Sequence, residues 1–384
     1  MPFRSSLARS AGKLLGVFRE RDLSLRGATQ NSRLYVPPFE ATGGTKIPAA
    51  ASGNSYVYHV FLYGTSDNFV VNTQSGNVEV LIIGGGGGGS WSFYAGGGGA
   101  GGVVHGTTIP VTPGTYPITV GDKGLDSPPS YPNTAQHEGT NGGNSVFNGV
   151  TALGGGGGFG GNQVYPGSAS GGSGGGGHGY PASATASVVK DAQPVPGDFT
   201  AYGNPGGLGT PYAGGGGGGA SAVGGNAAPR GPTPAPANYH FGGLGGNGRA
   251  FPGFPGPIIA PTIPTTAIAD VPVAVGGPGP APERAAFTTA VGPTGLYGGG
   301  GGGGLYYTIG PDPSASGKPA GGVGGGADGA GSHPRTTPPQ PWDIGPARKA
   351  VMHTGGGGGG GNYGGASYGT DGATGIVLVR YPSL

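Results

Sequence analysis

The chain has 384 residues, of which 98 are glycine and 39 proline; only 9% are charged, and the net charge is +2. An average globular domain carries about 25% charged residues and about 7% glycine, so this composition excludes an ordinary helical or α/β enzyme as well as a charge-rich solvated tail. With no cysteine, a disulfide framework and a thiolate zinc site are excluded too.

Residues 1–33 hold seven Arg or Lys against Glu20 and Asp22, whereas the rest of the chain is slightly acidic. Within this basic arm, residues 5–19 predict a short amphipathic helix. Leu7, Ala11, Leu14, Leu15 and Phe18 fall on one stripe, with Arg4, Arg9, Lys13 and Arg19 elsewhere around the wheel. Three readings are open: a peg docking into a partner protein through Arg9, Lys13, Leu14, Leu15 and Phe18, a membrane-surface or organelle-targeting helix, and a frayed basic tail. The peg explains the apolar stripe best. No stretch approaches the roughly 20 apolar residues of a membrane span, and no secretory signal is visible, so neither membrane insertion nor export is expected. Asp22–Gly27 alternates like a short strand, and the segment 37–54 reads as a linker.

Residues 55–153 predict β structure. Tyr56–Tyr63 is aromatic and β-branched, Phe69–Asn72 follows a turn, and Val78–Ile83 runs directly into six glycines. Gly102–Val111 and Thr115–Val120 flank the Thr112-Pro-Gly114 turn, and Val146–Leu153 is interrupted by Asn148-Gly149. A last strand is expected at Ile376–Tyr381. No helix is expected after residue 20.

From 154 to 384, glycine runs alternate with Pro-, Tyr- and Ala-rich segments at unequal spacing, which excludes equal solenoid repeats and collagen. Runs such as Gly84–Gly89, Gly214–Gly219, Gly298–Gly304 and Gly355–Gly361 would suit a bundle or sandwich of polyproline II helices. Such helices point every N–H and C=O sideways, and without Cβ atoms they can pack side by side and bond one another. Pure runs are then expected inside and mixed ones, such as Gly321–Gly331, outside. A flexible glycine linker is the competing reading. The expected organisation is a 1–36 attachment segment, a 37–54 linker, a 55–153 β-rich domain and a 154–384 glycine-rich domain.

Motifs for chemistry are missing. GxGxxG matches recur throughout, but no helix pattern follows any run, and Gly317-Lys318 is followed by Pro319. The seven histidines show no ligand spacing and are expected at the surface or in loops. Asp122–Asp126 suggests a turn, with a cation site as the lesser alternative. Neither catalysis, a cofactor nor a metal is expected. Nucleic-acid binding is not expected either, because basic and aromatic residues are not interleaved in the body.

Val-Glu-Val-Leu-Ile-Ile (78–83) with six glycines, Ala95 through Val104, Val111–Gly121, Gly142–Phe147 and the closing Gly375–Pro382 together resemble the glycine-rich domain of bacteriophage tail fibres. The section between is similar to the receptor-binding adhesins at tail-fibre tips, and Arg9–Gly27 to virion-attachment segments. The resemblance implies a non-enzymatic virion protein that attaches by its N-terminus to tail or capsid proteins. It also implies loops that meet a host surface glycan or protein, and a homo-oligomer, with a trimer favoured because three chains would bury the 55–83 strands. Loop aromatics offer broad amphipathic contact area. Trp91, Tyr94, Tyr180, Tyr212, Tyr239, Tyr306 and Trp342 are the candidate receptor contacts, each equally able to pack on the glycine layers. A purely structural virion or extracellular filament protein is the alternative. Ice binding would need regular Thr or Ala ranks, and none is visible.

Overall fold

In the computed structural model the described residues are 37–65, 67–91, 94–127, 138–160, 170–180, 183–184, 191–229, 240–265, 282–305, 318–331, 349–361 and 369–383. The 5–19 helix, with Arg9, Lys13, Leu14, Leu15 and Phe18, and the 22–27 strand lie outside them.

The chain is mainly β. Its strands are β1 (Ala41–Thr42), β2 (Thr45–Ile47), β3 (Tyr56–Leu62), β4 (Asn68–Val71), β5 (Gly76–Ile83), β6 (Val103–Val111), β7 (Gly114–Thr119), β8 (Ser145–Phe147), β9 (Val150–Ala152), β10 (Phe199–Tyr202) and β11 (Ile376–Pro382). Three further ladders are two residues long on each strand. One antiparallel sheet has the order β10-β6-β5-β11-β3-β2 and the other β1-β4-β7-β8-β9. The closing strand β11 therefore lies between β5 and β3, pairing Val379 with both Val80 and His59. The β8–β9 hairpin turns at Asn148 and Gly149, both at positive φ, which is what an Asn-Gly hairpin turn requires.

Alternation along β5 explains the layering. Val78, Val80 and Ile82 face the second sheet and pack with Phe69, Val71 and Phe147. Leu81 and Ile83 face the other way, onto Phe251, Phe254, Ile259, Phe287 and Tyr297. That cover comes from the segment between residues 249 and 297, and it contains the helices α2 (Gly256–Ile259) and α3 (Glu283–Val291), after a single-turn α1 (Ala49–Ser52). These helices correct the expectation of none after residue 20. In α3, Phe287 and Val291 stand one turn apart and are both buried, but two apolar positions in a Pro- and Ala-rich stretch form no visible period. The 56–83 strands are covered within one chain, so burying them needs no partner copies.

Strands β5 and β10 continue at their C-terminal ends into glycine runs, and β6 and β11 are each entered from one. The runs lie side by side, joined by backbone hydrogen bonds, and each neighbour recurs every third residue. In the run 84–89, the N–H groups of Gly84 and Gly87 donate to Gly102 and Gly99, those of Gly85 and Gly88 to Gly143 and Thr140, and those of Gly86 and Gly89 to Ala373 and Thr370. Its carbonyls at Gly85 and Gly88 accept from Gly155 and Gly158, while Gly86 accepts from Gly124 and Gly87 from Gly358. All six N–H groups of this buried run and the four carbonyls from Gly85 to Gly88 thus find partners outside it, which is the condition for burying so much peptide. Pure runs 84–89, 214–219, 298–304 and 355–361 are buried throughout, whereas 318–323 and 242–248 expose about every third position. The pure runs are interior as expected, but the mixed run Gly321–Gly331, expected outside, is largely buried with Val323 its exposed position, because its other positions are small enough to pack inward.

Candidate functional site

The runs have a near end, where they join the sheets, and a far end some six residues on. At the far end the chain leaves and re-enters the stack in a series of loops. Gly304 N donates to Ala95 O, Gly361 N to Ser90 O and Gly214 N to Gly304 O, so neighbouring loop bases are fixed to one another.

Of the seven aromatic candidates, Trp91, Tyr94 and Tyr212 have described side chains. All three stand at the far end. Tyr94 is 7% exposed and packs edge-on to Tyr212 at 6.0 Å and against His178 at 5.9 Å; Tyr212 in turn lies 4.8 Å from the His240 ring. His240 Nδ1 is 3.0 Å from Thr210 Oγ1, and partial burial lowers the pKa of the ring. This cluster locks the bases of four chain segments, so Tyr94 packs rather than contacts solvent. Trp91 and Tyr212 remain half-buried. Only the backbone of Tyr180 is described, in a ladder with Ser183 that closes this same end. Tyr239, Tyr306 and Trp342 lie outside the described residues, although their neighbours His240 and Leu305 are far-end positions.

Beside this cluster, a shallow cavity of about 380 Å³ opens between outer runs, lined by Gly225, Asn226, Phe241, Gly242, Leu244, Lys318 and Pro319. Phe241 is 44% and Leu244 58% exposed. Spacing alone could not assemble these residues, which come from three separate runs brought together by the lattice.

On another flank, Lys123 pairs with Asp371, which also accepts the Asp126 N–H at 3.0 Å. Burial and then the neighbouring Asp371 carboxylate raise the pKa of Asp126 to about 6. Burial would raise Asp371 as well, but its bonds from Lys123 and the Asp126 N–H outweigh that and hold it below the usual carboxylate range. Residues 121–126 form an extended run rather than a turn, and the Lys123 ammonium already serves Asp371. Among the described residues no group of three or more acidic or histidine side chains could hold a metal ion. An ionised Asp126 opposes its neighbour above pH 6, whereas its protonated form relieves the repulsion, so stability from this pair rises as pH falls through 6 toward 4. Asp126→Asn is therefore expected to raise Tm at pH 7 and to leave it nearly unchanged at pH 4.5. A lower Tm at pH 7 would contradict this assignment.

The histidines correct the sequence expectation: His59, His178 and His353 are buried. A polar core asks for hydrogen-bonded side chains, and histidine spacing carries no trace of that. His353 Nε2 lies 2.9 Å from Glu283 Oε1 and Nδ1 3.0 Å from Thr374 Oγ1. Carboxylate, imidazole and hydroxyl stand in hydrolase-like order, yet Thr374 is 2% exposed at the near end. With its hydroxyl enclosed, the set clamps α3 against the glycine runs. Among the described residues no helix is long and apolar enough to cross a membrane.

The described parts of the 249–297 segment cover the core at the near end. Among curated proteins none matches the chain. A family model for a glycine-rich domain matches residues 63–382, spanning the sheets as well as the stack. The chain belongs to this glycine-rich domain family.

Proposed function

We propose that the protein is a viral tail-fibre or adhesin subunit that binds a host-cell surface through the far end of its glycine stack. The observation that carries the reading is the gathering of Trp91, Tyr94, Tyr212 and Phe241 at one end of the molecule, on segments tied together by backbone bonds. The three-residue recurrence of partners, without bonds inside a run, supports polyproline II geometry for the runs. Such a stack is rigid, so its loops lose little freedom on binding. The basic segment 1–36 would be the attachment to tail or capsid, as a trimer or another homo-oligomer on the virion surface.

The test is a virus carrying Trp91→Ala and Phe241→Ala together. Intact particles whose adsorption to host cells falls about tenfold or more support the reading, in line with loss of two aromatic anchors. Failed particle assembly would favour a purely structural virion protein, and normal adsorption of intact particles would remove the far end from receptor binding.

A further inference from the structure

Five Asn-Gly or Asp-Gly steps occur in the chain, at Asn141, Asn148, Asn247, Asp328 and Asp371. In such a step the backbone nitrogen of the glycine can attack the side-chain carbonyl carbon of the residue before it, because glycine has no Cβ to hinder the approach. The glycine stack withholds that nitrogen in four of the five. The Gly142 N–H donates to Gly155 O at 2.9 Å, Gly248 to Val323 O at 2.8 Å, Gly329 to Pro319 O at 2.8 Å and Gly372 to Gly124 O at 2.9 Å. The side chains of these steps are held as well. Asn141 Oδ1 accepts from Gly157 N at 2.9 Å while its Nδ2 donates to Ser170 O at 3.0 Å. Asn247 Oδ1 accepts from Val323 N, Asp328 Oδ1 accepts from Gly321 N at 3.0 Å, and Asp371 is bound by Lys123 and the Asp126 N–H.

Asn148-Gly149 differs on every count. It is the tip of the β8–β9 hairpin, both residues are exposed, and a Cβ placed on Gly149 would meet nothing within 4 Å. Among the described residues no group accepts the Gly149 N–H and none binds the Asn148 carboxamide, while the Asn148 N–H fixes the backbone by donating to Pro117 O at 2.9 Å. We propose that Asn148 is a site of spontaneous covalent modification, converting to aspartate and isoaspartate through a cyclic imide. The Gly149 nitrogen gives its proton to solvent and bonds to Asn148 Cγ; the bond from Cγ to Nδ2 breaks and ammonia leaves. Water then opens the five-membered ring at either carbonyl, so one water enters for one ammonia lost, with no oxidation or reduction. Opening at the main-chain carbonyl gives isoaspartate, which routes the backbone through Cβ and Cγ and adds one atom to a two-residue turn. That turn sets the pairing of Phe147 with Val150 and of Ser145 with Ala152. Phe147 is buried and stacked on Tyr116 at 6.0 Å, and Ser145 Oγ donates to Ile83 O at 2.6 Å while accepting from Gly121 N at 2.9 Å. Modification therefore loosens the second sheet where it is tied to the start of the glycine stack.

Peptide mapping by mass spectrometry on the purified full-length chain, sampled during warm storage at neutral pH, tests this. Asn148 is expected to gain one mass unit at least about tenfold faster than Asn141 or Asn247, the factor that corresponds to breaking one buried hydrogen bond. In denaturing urea the three asparagines are expected to react at similar rates, each being then an unrestrained Asn-Gly step. Isoaspartate, identified by its backbone fragment ions, is expected at 148 and not at 328 or 371. Equal rates at the three asparagines of the folded chain, or an Asn148 that reacts only in urea, would overturn the assignment. Asn148→Gly keeps a residue suited to positive φ in this turn and has no carboxamide. The natural chain is expected to lose Tm in step with the modification, and the variant to keep its own. A Tm that falls equally in both, or that stays constant while Asn148 converts, would overturn the link between the modification and the sheet.

Discussion

Replacing Gly301 by alanine is expected to destabilise the protein by about 3 kcal/mol or more, a large share of the roughly 5–15 kcal/mol that holds a typical domain together. Gly301 lies in the middle of a pure run. Its N–H donates to Gly98 O at 2.9 Å, and its carbonyl accepts from Gly217 N at 2.8 Å. A Cβ there would sit on the Gly358 carbonyl, 2.6 Å from the Gly358 carbonyl carbon. None of these contacts is a side chain that could rotate away, so the whole run must shift and stretch bonds to several neighbours at once. The comparison variant is Gly197→Ala. An added Cβ at Gly197 meets nothing within 4 Å, and its φ is not positive. It is expected to be neutral or to stabilise by up to about 1 kcal/mol through the unfolded chain. Urea midpoints of the two variants decide the matter. Similar midpoints would mean that the interior tolerates a methyl and is not close-packed backbone.

This contrast shows why part of the fold was legible in the sequence. Strands such as Val78–Ile83 announce themselves by β-branched residues and end where glycine begins. The Asn148-Gly149 turn is a local signal, and the structure has the hairpin there. Pure glycine runs mark interior positions because the lattice leaves no space for Cβ on any side. Contacts made by tertiary arrangement were not legible. The helix Glu283–Val291 owes its place to Phe287 and Val291 meeting the sheet, a requirement of the sheet rather than of local propensity. Buried histidines were missed for a similar reason, since a lone imidazole reads alike whether it faces water or a carbonyl. At the far end, composition singled out Tyr94 and Tyr212 as aromatics. Only the stack shows that Tyr94 packs against Tyr212 and His178, while Phe241 borders a cavity with Asn226 and Lys318, from two other runs.

The contribution of His59 to stability should fall steeply in mild acid, over the same range in which that of Asp126 rises. His59 sits in β3 fully enclosed, edge-on to Phe69 at 5.2 Å and stacked on Tyr381 at 5.7 Å. Its Nδ1 is 2.6 Å from Gly43 O, so Nδ1 carries the proton, and Nε2 accepts from the Tyr381 hydroxyl at 3.3 Å. That tautomer is neutral and fully bonded. Protonating Nε2 would place a second donor against the Tyr381 hydroxyl and charge a group with no water around it. Burial lowers its pKa to about 4; the Gly43 bond opposes that shift, Lys46 adds to it, and Asp67 counters weakly. The unfolded chain binds this proton near pH 6.5 and the folded one only near 4. Stability is therefore intact above 6.5 and declines as pH falls through that window. Two and a half pH units at about 1.4 kcal/mol each amount to about 3.5 kcal/mol in full, of which about 3 kcal/mol is lost by pH 4, where the folded imidazole is half-protonated. The difference in urea midpoints between the natural chain and His59→Gln, followed from pH 7 to pH 4, measures it and separates this group from the carboxylates, Asp126 included. Glutamine keeps a donor for Gly43 but cannot take up the proton. The variant is expected to start less stable at pH 7 and to lose about 3 kcal/mol less than the natural chain over the same range. An identical acid slope in both would assign the loss to other groups, such as Glu79, whose bonds from His105 and Arg380 hold its pKa below the usual value against the opposing effect of burial.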